Sequence, residues 1–234
     1  MRVVFMGANR TGWLCLNELL RMGENVVGIF TLPPRFSISY SNKPIPIATY
    51  QAFDDLAQAF DIPREIVTGS LNALTTKLQA LKPDLILVNG WYHKIPEKIL
   101  RIPPRGVVGF HPSLLPKYRG GAPLTWSLIN DERETGMTLF YMEEGIDTGD
   151  IVAQERVPIA TDDTIATLYE KVNQAMLSIL RESWPRLKEG RVPRRAQDES
   201  QATYFPNRGP EDGLILWSWP SRKIYNWIRA QTTP

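Results

Sequence analysis

The sequence predicts an α/β protein built on a Rossmann-like, doubly wound and mostly parallel sheet, with helices on both faces and a short C-terminal extension. Three observations carry this. Short apolar runs recur at Arg2–Met6, Val26–Phe30, Asp84–Val88 and Val107–Phe110, as expected of strands buried on both faces. Helical spacing fills the intervals, and the opening strand–turn–helix–strand is the grammar of a parallel sheet. Polar and turn-forming residues then gather just past the strand ends, where sheets of this kind place their chemistry.

Taken in order, residues 2–6 form the first strand, and Gly7-Ala-Asn-Arg-Thr-Gly12 turns into a helix carrying Trp13, Leu16, Leu19 and Leu20 on one face. Gly7 and Gly12 lack the spacing of a dinucleotide fingerprint, so a nicotinamide cofactor is a minor reading. Residues 32–48 hold four prolines with Ser37, Ser39, Ser41 and Asn42 and read as a surface loop. Helical pattern resumes with Phe53, Leu56 and Phe60, and again from Leu71 to Leu81. The strand ending at Val88 runs into Asn89-Gly-Trp-Tyr-His-Lys-Ile-Pro96, and Glu97–Leu100 makes one helical turn.

Ala122–Asn130 reads as a helix, and Thr135–Tyr141 and Asp150–Pro158 read as strands on either side of a loop bearing Asp147. Asp163 and Thr164 cap the longest helix, whose Trp184-Pro185 pair predicts an end or a kink. Composition changes after Gly190. Residues 1–190 therefore read as the catalytic domain, and 191–234 as an extension or the beginning of a second domain. In that extension Arg191, Arg194 and Arg195 form a basic cluster, Leu214–Trp219 reads as a strand and Ser221–Ala230 as a closing helix.

The totals narrow the function classes. A chain of 234 residues that is 43% apolar and 22% charged supports a full core. A net charge of +2 is too small to argue for nucleic acid alone. The single cysteine, Cys15, lies in an apolar run and reads as core. With only two histidines, a dedicated zinc site is disfavoured. No apolar run reaches the roughly 20 residues of a bilayer span, and the expectation is a cytoplasmic enzyme without membrane partners, its oligomeric state open.

The candidate chemistry lies between Gly106 and Ile151. His111 is the first polar side chain after a buried strand, and the next turns are shaped by Pro112, Pro116, Gly120, Gly121 and Pro123. An imidazole there can take a proton from a nucleophile and return it to a leaving group, and a carboxylate such as Asp147 would orient it. Ser113 is no hydrolase nucleophile on this reading: it lacks a G-x-S-x-G elbow and sits in a proline-bracketed turn.

Three stretches, His111-Pro-Ser-Leu-Leu-Pro-Lys-Tyr-Arg-Gly-Gly-Ala-Pro, Glu134-Thr-Gly-Met-Thr and Gly145-Ile-Asp-Thr-Gly-Asp-Ile, together resemble the 10-formyltetrahydrofolate-dependent formyltransferases. The resemblance implies transfer of a formyl group from 10-formyltetrahydrofolate to a primary amine, with His111 and Asp147 as the family histidine and aspartate. It places the pterin between Asn89, Gly90, Trp91 and Tyr92 on one side and Met142, Glu143, Glu144, Gly145 and Ile146 on the other. One position departs. The family carries an asparagine two residues before its histidine, donating to the oxygen that becomes negative; here it is Gly109. Asn89 is the expected replacement, a water in the space left by Gly109 the alternative, and His93 or Asn9 lesser ones.

For the acceptor, the Lys-Tyr-Arg-Gly-Gly-Ala-Pro and Gln197–Pro206 details look nearer to enzymes acting on nucleotide-linked amino sugars, so that or another small amine is the first expectation. Methionyl-tRNA is the alternative. A formyl-folate hydrolase or a non-catalytic folate-binding protein is the reading that Gly109 keeps open.

Overall fold

The computed structural model describes residues 1–37 and 43–232; Ser39, Ser41 and Asn42 of the expected loop lie outside them. The chain divides into two compact units. Residues 1–110, 141–145 and 184–192 form the first, and 111–140, 146–183 and 193–234 the second.

In chain order the first unit holds β1 (Arg2–Met6), α1 (Arg10–Arg21), β2 (Asn25–Thr31), β3 (Arg35–Phe36), β4 (Ile45–Pro46), α2 (Asp54–Ala59), β5 (Arg64–Ile66), α3 (Thr75–Leu81), β6 (Leu85–Val88), α4 (Glu97–Leu100) and β7 (Val107–His111), whose last residue opens the second unit. Five of these strands pair in parallel in the order β7-β6-β1-β2-β5. Val4, Met6, Ile86, Leu87 and Val108 are inaccessible to solvent, which is why their runs carry no polar face. From β1 the chain winds outward to β2 and β5, then returns to lay β6 and β7 on β1's other side. Right-handed crossovers of opposite direction put α1 and α4 on opposite faces. The switch point therefore lies between β1 and β6, and the loops leaving these strands diverge there.

Asn9 caps α1, its Oδ1 accepting from the Gly12 amide at 3.0 Å. Cys15 of α1 is fully buried, and burial pushes its thiol pKa up to about 12, so it is an inert core group. The end of the sheet is extended when the chain returns: the Met142 amide donates to the Val107 carbonyl at 2.8 Å.

The second unit contains β8 (Arg119–Gly120), α5 (Pro123–Ile129), β9 (Glu134–Tyr141), β10 (Ile151–Pro158), α6 (Ile165–Glu189), β11 (Tyr204–Phe205) and α7 (Ser221–Arg229), although the ends of β9 and α6 fall in the first. β9 and β10 pair antiparallel around the Asp147 loop, and β11 pairs with β8 in parallel, Tyr204 opposite Arg119 and Phe205 opposite Gly120. α7 is tied to the turn before α6 by Arg229, whose Nη1 donates to the carbonyls of Ala160 and Asp163, each at 3.0 Å.

Residues from 193 onward pack in the same unit as His111 and Asp147. Two expectations change. α6 does not end at Trp184-Pro185 but runs through to Glu189. A proline removes one backbone donor, and the fully buried Trp184 and nearly buried Leu187 hold the last turn in place. Leu214–Trp219 forms no strand: Leu214, Leu216 and Trp217 are 73%, 57% and 78% exposed, and an apolar run alone provides no strand edge to pair with. Among the described residues no helix is long and apolar enough to cross a membrane.

Candidate active site

His111 closes β7 and is 6% exposed. Its Nε2 lies 2.7 Å from the Tyr118 carbonyl oxygen, and a carbonyl only accepts, so Nε2 carries the proton. The neutral ring therefore keeps its lone pair on Nδ1. That nitrogen faces Asp147, with Oδ2 at 3.6 Å, beyond hydrogen-bond range but well within reach of a charge. The same Oδ2 accepts from the Gly120 amide at 2.9 Å.

Asp147 adopts a left-handed backbone, φ 54°, which costs a residue with a Cβ on the order of 1–3 kcal/mol and persists only where surroundings impose it. Gln197 Nε2 donates to the carbonyls of Asp147 and Gly149 at 2.7 and 2.8 Å. Gly120 has φ 95°, and a Cβ there would lie 2.5 Å from the Phe205 carbonyl oxygen, so only glycine fits between that strand and the carboxylate it serves. Ser113 is inaccessible and its hydroxyl donates to the Lys117 carbonyl at 2.7 Å, the turn role expected of it.

The expected folate loops lie in the first unit, except that Ile146, 57% exposed, belongs to the second. Gly90 takes φ 69°, and a Cβ there would fall 2.0 Å from the Asn9 side chain, so glycine is required. Its carbonyl accepts from the Ala8 amide, and Asn9 Nδ2 donates to the Tyr92 hydroxyl at 3.2 Å, joining the loops after β1 and β6 at the switch point. Trp91 stands edge-on to His93, centroids 6.1 Å apart, and Phe36 packs on both Tyr92 and His93. Burial holds the His93 imidazole below its ordinary pKa. Trp91 Nε1 is buried without a hydrogen-bond partner among the described residues. Glu143, Glu144 and Gly145 are exposed.

Two placements depart from expectation. Asn89 is 4% exposed, and its Nδ2 donates to the Thr11 carbonyl at 3.3 Å while its side chain also bonds Cys15. The amide thus helps fasten the end of β6 to α1. We expect Asn89→Ala to lower stability by about 1–2 kcal/mol, the worth of a buried bond broken on one side, with kcat at a permissive temperature within several-fold of wild type. A thermal melt beside steady-state kinetics checks this, and a loss of 10²-fold or more in kcat at unchanged stability would return Asn89 to the chemistry. Nor does Gly109 leave open room for water: a Cβ there would meet Met142 Sδ at 3.2 Å and Cγ at 3.3 Å, so a thioether covers the position.

Sequence reasoning missed the Tyr118 carbonyl, Arg119 and Gln197. A backbone acceptor leaves no signal in residue type, but an arginine inside a glycine- and proline-rich turn is one that could have been followed. Also unforeseen is a cavity of about 530 Å³ in the second unit, lined by Lys117, Arg156 and Arg195 with Glu134 the one carboxylate.

Residues 1–183 match the family described as formyl transferase. A methionyl-tRNA formyltransferase of Trichlorobacter lovleyi is 38% identical over 98% of this chain and 71% of its own length. That of Citrifermentans bemidjiense is 36% identical over 99% of this chain and 72% of its own. Among solved structures, an N-formyltransferase from Helicobacter canadensis, bound to folinic acid and dTDP-3-aminofucose, superposes with a TM-score of 0.76 at 22% identity, covering 97% of this chain and 79% of its own, a likeness of fold. With most of its length matched by the family and relatives above 30% identical along nearly all of it, the chain belongs to the formyl transferase family.

Proposed function

We propose that this N-formyltransferase moves the formyl group of 10-formyltetrahydrofolate to the amino group of methionyl-tRNA. The observation that carries the acceptor is the 38% identity to a methionyl-tRNA formyltransferase, sustained over 98% of the chain. It outweighs the sequence preference for an amino sugar, which rested on short stretches. Around the cavity beside Leu114–Lys117, Arg156 is paired with Glu134, and Lys117 and Arg195 suit an acceptor that carries phosphates.

The residues fit the donor. The crevice at the switch point offers Trp91, whose Nε1 has no partner among the described residues, and the Met142 stretch lies across β7 from the Asn89 loop. When bound, the folate supplies a formyl carbon open to an amine. His111 Nδ1 takes the proton that the attacking nitrogen sheds, and the imidazolium faces Asp147 until the proton passes to the departing folate nitrogen. The Tyr118 carbonyl fixes which ring nitrogen does this. Water is excluded by burial of the ring, 6% exposed.

The test is release of tetrahydrofolate from 10-formyltetrahydrofolate with methionyl-tRNA, with nucleotide-linked amino sugars and with no amine. We expect turnover with methionyl-tRNA only, and tRNA affinity that falls steeply as salt rises. Turnover with an amino sugar alone, or release with no amine at all, would replace this reading by sugar formylation or by hydrolysis.

A further inference from the structure

Both contacts of His111 are held from one distant stretch, residues 197–205, most of the way along the chain. Gln197 holds the Asp147 loop through its carbonyls. On the Tyr118 side, the Tyr118 amide donates to Thr203 Oγ1 at 2.8 Å, the Arg119 amide to the Thr203 carbonyl at 2.9 Å, and the Gly121 amide to the Phe205 carbonyl at 2.9 Å. The Tyr118 ring stacks on Phe205, centroids 4.6 Å apart at 9°. These contacts meet at Arg119. Its side chain is inaccessible; Nε and Nη2 donate to Gln197 Oε1 at 3.1 and 2.8 Å, Nη1 and Nη2 grip Glu199 at 2.8 and 2.6 Å, and Nη1 reaches the Tyr204 hydroxyl at 2.5 Å.

A buried guanidinium costs several kcal/mol to desolvate and is retained only where its donors are used. Here one donor pair fixes the amide orientation of Gln197: with Oε1 turned to the arginine, Nε2 must point at the two carbonyls of the Asp147 loop. The whole stretch lies beyond residue 183, where the match to the family ends.

We propose that residues 197–205 are a clasp that completes the active site, with Gln197 a positioning residue set by Arg119, holding Asp147 in its left-handed conformation opposite His111. The inference rests on His111 and Asp147 being the proton-handling pair. Gln197→Met keeps the side-chain length and removes both donors and the acceptor, leaving Arg119 its bidentate contact with Glu199. A shift on the order of 1 Å in a catalytic group costs up to roughly 10²-fold, so kcat should fall about 10- to 100-fold with the KM for the folate little changed.

The experiment compares wild type, Gln197→Met, Gln197→Asn and Asp147→Asn in thermal melts, in formyl-transfer kinetics, and in an NMR titration of the imidazoles. Only two histidines resonate, and His111→Gln assigns them. Gln197→Asn, one methylene short of both carbonyls, serves if the methionine variant does not fold. A folded Gln197 variant with wild-type kcat and an unmoved His111 titration overturns the clasp. If Asp147→Asn is also as active as wild type, the proton-handling reading falls first; if Asp147→Asn is crippled and the Gln197 variants are not, the clasp alone is wrong.

Discussion

His111→Gln is expected to cut kcat by about 10²–10⁴ while leaving the fold intact, the range typical of losing a positioned general base. The choice of glutamine follows from the geometry. A glutamine amide nitrogen reaches roughly as far as imidazole Nε2, so the donor to the Tyr118 carbonyl, now at 2.7 Å, survives. What disappears is the lone pair on Nδ1, the nitrogen facing Asp147. His111→Asn reverses the substitution, placing a nitrogen near Nδ1 and abandoning the Tyr118 carbonyl inside the protein, where an unmet acceptor costs about 1–3 kcal/mol. The two variants thus separate chemistry from structure: glutamine should be folded and slow, asparagine slow and also less stable. Single-turnover formyl transfer measured beside thermal melts decides it. A glutamine variant within several-fold of wild type would show that Nδ1 carries no proton in the rate-determining part of the reaction.

Much of this site could be read from residue order, and the limits fall where side-chain direction matters. His111 and Asp147 were legible because strand ends and glycine-rich turns announce a place for chemistry, and each is brought there by an element whose apolar pattern is plain. Which ring nitrogen faces Asp147 was not, since that depends on a backbone carbonyl seven residues on. Asn89 shows the same limit: its position at the end of β6 was correctly foreseen, but a rotamer turned toward Thr11 sends its amide to α1. The strand expected at Leu214–Trp219 failed for a different reason, because an apolar run describes a segment that can pair and says nothing of whether a partner edge is present. Arg119 and Gln197 lie 78 residues apart, and that pairing is invisible until the chain has folded.

The second large effect is a gain. Gly109→Asn is expected to raise kcat by about 10- to 100-fold, approaching the 10²–10³ that one oxyanion donor is worth. The position lies in β7 with an extended backbone that asparagine can adopt, and replacing a strand glycine does not weaken the sheet. What stands in the way is Met142, whose Sδ and Cγ would be 3.2 and 3.3 Å from the new Cβ. A thioether accepts weakly and donates nothing, so in this chain the place opposite the formyl oxygen, as the family resemblance assigns it, is apolar. Methionine is also the side chain that yields most easily, with three soft torsions and no branch. The asparagine can therefore displace it at small cost, and Gly109→Asn combined with Met142→Ala should gain at least as much as Gly109→Asn alone. Two controls isolate the donor from the packing. Gly109→Ala moves Met142 without adding a hydrogen-bonding group, and Gly109→Asp adds the same bulk with only acceptors, so neither should accelerate the reaction. If Gly109→Asn is no faster than Gly109→Ala, the charge on the formyl oxygen is already met by another donor and the glycine is a neutral departure. If it is faster while the aspartate variant is slower than wild type, the missing amide is what has been limiting turnover.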